Sequence, residues 1–136
     1  NASIPIEVSR ENFRAHGIEE RVSLLDGDLL ASLPEPVDIL IANLPYVRRG
    51  DLDTLQPEVL WEPRNALSGG PDGLVVIRRL LEQAPGNIRA GGAILLECDP
   101  RQVDRIMREV KERFPGSAYR VIQDLSALDR VVEVLL

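Results

Sequence analysis

Val37-Asp38-Ile39-Leu40-Ile41-Ala42, followed at once by Asn43-Leu44-Pro45-Tyr46, is the stretch that decides how this chain is read. The first six residues form an apolar run too short for a helix and closed by an Asn/Pro signal, which reads as a buried strand. Ending such a strand in Asn-x-Pro-Tyr sets a carboxamide, a rigid backbone carbonyl and an aromatic ring at its carboxyl edge, where open α/β sheets bind their ligands. The carboxamide oxygen and the proline carbonyl are neutral acceptors, and the ring is a flat cover. Together they suit a planar substrate bearing an NH2 group. The plainer reading is a turn after a strand, where Asn and Pro are common.

Working outward, the N-terminal side predicts a helix from Ser3, with Ser3 as N-cap and Pro5 in its first turn, running to His16 and ended by Gly17. Arg21 to Leu25 reads as a strand ended by Asp26-Gly27-Asp28, and Leu29 to Leu33 as one helical turn stopped by Pro34-Glu35-Pro36. On the other side, residues 48–71 hold Pro57, Pro63, Gly69, Gly70 and Pro71, with one short helix expected around Leu55 to Leu60. A connection this long inside a compact domain is usually functional, and this one leaves directly from the motif. Gly73 to Ala84 is expected to be helical, with Leu74, Ile77, Leu81 and Ala84 on one face. Gly91-Gly92 reads as a turn and Ala93 to Cys98 as a buried strand. Pro100 opens a helix with Val103, Ile106, Met107, Val110 and Phe114 on its apolar side. Tyr119 to Gln123 and Arg130 to Leu136 read as the last two strands. Their short connection forbids a parallel crossover, so they are expected to be antiparallel. The whole is an α/β chain with a mostly parallel sheet and an antiparallel C-terminal hairpin.

Bulk properties narrow the function. With 136 residues the chain predicts a single domain, 1–136, in which residues 1 and 2 resemble a tag remnant. The net charge of −6 argues against a general grip on nucleic acid, leaving Arg48-Arg49 as a local basic candidate beside a simpler solvated pair. No apolar run approaches the length of a membrane span. A lone cysteine, Cys98, permits no internal disulfide and points to a cytoplasmic setting, with Cys98 itself a small core residue. His16 is the sole histidine, and no metal-ligand cluster is expected.

The order of these pieces resembles the class I S-adenosylmethionine-dependent methyltransferases, and most closely the peptide-chain release-factor glutamine N5-methyltransferases. The resemblance lies in Glu7 to Asn12 with His16-Gly17, Gly27-Asp28, and Val37 to Val47. It continues in Glu62-Pro63-Arg64-Asn65-Ala66-Leu67-Ser68-Gly69-Gly70-Pro71-Asp72-Gly73-Leu74, Gly91 to Glu97, and Asp124 to Val132. Leu44 stands where that family usually has Pro, and Leu96-Glu97-Cys98-Asp99 replaces a Leu-Glu-Ile-Gly ending. The family's glycine-rich cofactor loop and first two strands have no counterpart in this sequence. The family sheet order, 3-2-1-4-5-7-6, would make these residues strands three to seven and leave an exposed sheet edge. Such an edge is expected to close by direct pairing, segment exchange or formation of a homodimer.

The resemblance implies transfer of a methyl group from S-adenosylmethionine to a protein glutamine amide, with a release factor as substrate. It implies Asn43, Pro45 and Tyr46 as catalytic residues, and Asn43, Leu44, Pro45, Tyr46, Glu62 and Pro63 as the substrate site. Asp28 and Leu29, with Asn43, would meet the cofactor, Asp28 accepting from the adenine amino group and Leu29 lying against the purine. Each has a plainer reading: Asp26-Gly27-Asp28 simply ends a strand, and Glu62 is a solvated charge. Trp61 reads as partial core or as an anchor of the substrate loop, and Glu97 as a residue that ends a strand at the functional edge or, more plainly, caps a neighbouring loop. Two functional alternatives stand beside the main one: N6-adenine methylation of nucleic acid, and a catalytically inert fragment that serves as an interaction module.

Overall fold

The computed structural model describes residues 3–136. The chain forms two compact units, residues 1–34 and 35–136. The capping role of Ser3 and the tag reading of residues 1 and 2 lie outside what is described.

The first unit is led by helix α1, Ser3–His16. Arg14 and His16 sit in its last turn, where cations suit the helix dipole. Its end is a Schellman closure. Gly17, at φ 61°, donates its N–H to the Arg14 carbonyl at 3.1 Å, and Ile18 donates to Phe13 at 3.0 Å. A 3-10 turn follows over Glu19–Arg21. The strand expected from Arg21 to Leu25 does not form. Val22 is extended, but a strand exists through its neighbour's hydrogen bonds, and these residues have no ladder partner among the described residues. Val22, Leu24 and Leu25 are 38%, 38% and 46% exposed. The helical turn expected at Leu29 to Leu33 is instead a pair of tight turns. Ala31 donates to the Asp28 carbonyl and Leu33 to the Leu30 carbonyl, with Leu29 at φ 56°.

The second unit holds a four-stranded sheet: β1 (Val37–Ala42), β2 (Ile88–Glu97), β3 (Ala118–Gln123) and β4 (Asp129–Leu135), in the order β1-β2-β4-β3. β1 and β2 pair in parallel, and β4 is antiparallel to both its neighbours. Three strands therefore run one way, and β4 is inverted between two of them. This is the 4-5-7-6 portion of the sheet order that the sequence resemblance implied, and the C-terminal hairpin is antiparallel as expected.

One sheet face is closed by helices α3 (Val75–Gln83) and α4 (Val103–Arg113). Ile94, Leu96 and Cys98 of the β2 segment and Val132 and Val134 of β4 have no exposed surface, and neither do Leu81, Ile106 and Val110 on the helices. Each such aliphatic side chain contributes about 1.5–3 kcal/mol by leaving water. The Arg78 guanidinium ties the two helices by donating to Glu109 at 2.9 Å.

Two expectations for this unit are corrected. β1 is not buried on both faces: Ala42 is buried beside Leu96, whereas Ile39 and Ile41, on the opposite face, are 60% and 76% exposed. β1 lies at the sheet edge, with β2 its one partner among the described residues. Gly91-Gly92 is not a turn but an irregularity within β2, where the register with β1 shifts between Val37 and Ile39. A β-carbon on Gly92 would stand 2.5 Å from the Asp38 carbonyl oxygen, so the close approach of the two strands requires glycine there. Among the described residues no helix is long and apolar enough to cross a membrane.

Candidate active site

The parallel pairing of β1 and β2 brings their carboxyl ends to one edge. β1 stops at Ala42 and delivers Asn43-Leu44-Pro45-Tyr46; β2 stops at Glu97 and delivers Asp99. The long connection does not form the short helix expected around Leu55 to Leu60; it comprises 3-10 turns over Arg49–Thr54 and Val59–Trp61 and a single helical turn, α2 (Arg64–Leu67). It returns to where it began. Val47 donates to Leu67 at 2.9 Å, and Gly69 donates to Val47 at 2.9 Å.

Between this returning loop and the strand ends lies a cavity of about 780 Å³. Asn43, Leu44, Pro45 and Tyr46 line it, together with Glu97 and Asp99 from beyond β2 and Val59, Glu62 and Leu67 from the loop. All its lining residues belong to the second unit. Asn43 is exposed, and neither its side chain nor the Pro45 carbonyl hydrogen-bonds to another described residue. Two neutral acceptors are thus left for a ligand at the strand edge.

Tyr46 is fixed from outside the motif. Its hydroxyl donates to Glu97 Oε1 at 3.1 Å, and its carbonyl accepts from Gln102 Nε2 at 2.8 Å. Burial pushes the phenol's ionisation above the ordinary tyrosine range, and the adjacent Glu97 carboxylate pushes it further. The phenol therefore stays neutral at physiological pH and able to donate. Asp99 caps the 3-10 turn Pro100–Gln102, accepting from the Arg101 N–H at 2.9 Å. The Arg101 side chain holds the Asp99 carboxyl below the usual range and also reaches Asp51 at 3.2 Å. Asp51 accepts from Arg48 at 3.0 Å, so Arg48 belongs to this rim pairing.

The structure thus gathers Asn43, Leu44, Pro45, Tyr46 and Glu62 around one cavity. Pro63 is not part of the lining; its carbonyl accepts from Ala66 at 2.8 Å and starts α2. Asp28 and Leu29 stand in the tight turns of the first unit. Trp61 is 89% exposed and is no part of the core, because the 3-10 turn that carries it lies on the surface. Cys98 is wholly buried, as expected of a core residue. Among the described residues there is no cluster of potential metal ligands.

Sequence reading placed Glu97 at the functional edge without a role there, and did not assign Asp99, Arg101 or Gln102 to the site. A signal for Gln102 was present: Asp99 followed three residues later by Gln is a capping pattern, which fixes where both side chains point.

No family model matches the chain. It is 38% identical to a release factor glutamine methyltransferase of Cereibacter sphaeroides, over 96% of this chain and 47% of that protein. It is 42% identical to a release factor glutamine methyltransferase of Moorella thermoacetica, over 92% of this chain and 44% of that protein. The chain spans about half the length of the curated relatives it matches. Among solved structures, a ribosomal protein L11 methylase from Lactobacillus delbrueckii shares its fold, with a TM-score of 0.53 at 13% identity, covering 96% of this chain and 50% of that one.

Proposed function

We propose, on the premise that this chain is a homologue of the release factor glutamine methyltransferases over nearly its whole length, that it carries the acceptor-binding part of such an enzyme. The activity is transfer of a methyl group from S-adenosylmethionine to the side-chain amide nitrogen of a protein glutamine. The substrate is a peptide-chain release factor, which places the reaction in the cytoplasm. The observation that carries this reading is the pair of unengaged neutral acceptors, Asn43 Oδ1 and the Pro45 carbonyl, beside the Tyr46 ring in a cavity at a sheet's carboxyl edge.

An amide nitrogen is a poor nucleophile because its lone pair is delocalised into the carbonyl. The Asn43 oxygen and the Pro45 carbonyl each accept one amide hydrogen and hold the nitrogen in a single orientation. The Tyr46 ring covers the amide plane. Positioning of this kind supplies at most about 7–11 kcal/mol of a barrier. S-adenosylmethionine, when bound, supplies an electrophilic methyl group on a cationic sulfonium. The lining, with Asn43, Glu62 and Glu97 as acceptors and Asp99 paired to Arg101, fits a cation beside an NH2 group. Within the second unit, Asn43 is the residue we assign to holding that donor.

The test uses the protein that carries this chain, labelled S-adenosylmethionine, and a release factor in two forms, one with the acceptor glutamine replaced by glutamate. Label is expected in the glutamine form alone, and Asn43→Ala is expected to cut the rate about 100-fold or more. Label in DNA but not in the release factor would favour adenine methylation. Calorimetric titration of the chain itself with S-adenosylmethionine tests the inert-fragment alternative, which absent binding would support. The edge of β1 that is unpaired among the described residues supports pairing of the isolated chain with a second copy.

A further inference from the structure

Tyr46 is held at two points, and both holds come from one short segment, residues 97–102. We propose that Glu97 and Gln102 are positioning residues that grip Tyr46 by its ring hydroxyl and by its carbonyl, and thereby set the surface against which the acceptor amide lies. The mechanistic part of this rests on the glutamine reading of the cavity; the grip itself does not.

Gln102 is 4% exposed, and both ends of its carboxamide are used. Its Nε2 donates to the Tyr46 carbonyl at 2.8 Å and to the Asp72 carbonyl at 3.4 Å, while its Oε1 accepts from the Asp99 N–H at 3.2 Å. One buried side chain therefore joins the motif, the glycine-rich turn at 69–73 and the end of the β2 segment. Gly73 makes room for it: a β-carbon there would stand 2.2 Å from Gln102 Nε2 and 2.3 Å from the Tyr46 carbonyl oxygen. A capping residue needs only the bond to Asp99. The two donated bonds are surplus to capping, and both go to backbone carbonyls across the chain.

Glu97 acts on the other end. It is the last residue of β2, and its neighbours Leu96 and Cys98 are locked into the core, so its side chain leaves the opposite face at a fixed height. The 3.1 Å contact needs a protonated phenol, which burial and the carboxylate itself both favour. With the hydroxyl and the carbonyl both fixed, the ring is restricted to one orientation beside Asn43.

The chain contains two tyrosines, so a Tyr119→Phe background leaves Tyr46 as the single titrating phenol. Its ionisation is followed by ultraviolet absorbance, with circular dichroism melts as the check on folding. The midpoint in this background is expected to lie above that of an ordinary exposed tyrosine. Glu97→Gln keeps an acceptor oxygen but removes the charge, and is expected to move the midpoint down. Gln102→Met keeps the length and removes the donated bonds, and is expected to move it down by loosening the residue that carries the ring. If Gln102→Met does not fold, Gln102→Asn, whose shorter amide cannot span to the Tyr46 carbonyl, gives the same readout. An unchanged midpoint in folded Glu97→Gln, or in a folded Gln102 variant, overturns the proposal. Because this titration needs no substrate, its outcome is separate from that of the labelled-donor assay, which alone tests the glutamine reading.

Discussion

Gly69 lies so close to Pro45 that a β-carbon on it would stand 2.6 Å from the Pro45 carbonyl oxygen, and 2.4 Å from that of Gly73. The carbonyl assigned to the acceptor amide is thus backed by a residue that has no side chain to displace it. Gly69→Ala is expected to push the Pro45 carbonyl out of line and to cost about 1–3 kcal/mol of stability through overpacking. Chemical denaturation measures the stability. The labelled-donor assay measures the rate, which is expected to fall further than the stability loss alone explains. A variant with full activity would show that the Pro45 carbonyl is not a working acceptor.

Cys98 is wholly buried, and burial pushes its thiol up to about 11. The native chain is therefore expected to resist a thiol-specific disulfide reagent at neutral pH and to react fully once unfolded. Cys98→Ser, which sets a hydroxyl in a wholly buried position just past β2, is expected to cost about 1–3 kcal/mol. Rapid labelling of the folded chain would contradict this burial.

Asp72 and Glu109 converge on Arg78. A hydrogen bond from Arg78 holds Asp72 below the usual carboxylate range; burial opposes the same shift at Glu109, but bonds from Arg78 and Arg113 outweigh it. Both folded-state values are lowered, so the stabilisation is complete above the ordinary carboxylate pKa and is lost as pH falls through the lowered ones. Arg78→Met is expected to flatten this acid dependence and to cost about 1 kcal/mol at neutral pH, since the network is partly screened by solvent. Melting curves across the acidic range give both quantities. An unaltered acid slope would mean that Arg78 does not link α3 to α4.

Ile39 and Ile41 present apolar surface beside the edge of β1 that has no strand partner among the described residues, a combination that favours association between sheets. Ile41→Lys is expected to reduce self-association of the isolated chain with little change in its melting temperature. Sedimentation velocity over a range of concentrations decides the matter; a parent chain that stays monomeric throughout rejects the edge as a pairing site.

What the sequence made legible followed from strong local signals. Val37–Ala42 was readable because Asn43 and Pro45 close it, and α3 and α4 because their apolar residues recur at helical spacing. The antiparallel hairpin followed from a connection too short to cross over. Arg21 to Leu25 misled because an apolar run looks the same whether or not a neighbour exists to complete its hydrogen bonds. Gly91-Gly92 misled for a related reason: glycine signals a turn and a close strand contact alike, and here Gly92 lies against the Asp38 carbonyl. In the site, Asn43 to Tyr46 announced themselves by spacing. Glu97 and Gln102 did not, because what matters in each is its reach to Tyr46 across more than fifty residues of chain.

The inversion of β4 also bears on how the sheet is put together. Among the described residues β3 pairs with β4 alone, and β4 is the second neighbour of β2. Among the described residues, 118–123 therefore have no strand to pair with until residues 129–135 are in place. The strand latest in sequence thus sits between two earlier ones, and β3 joins the sheet through it.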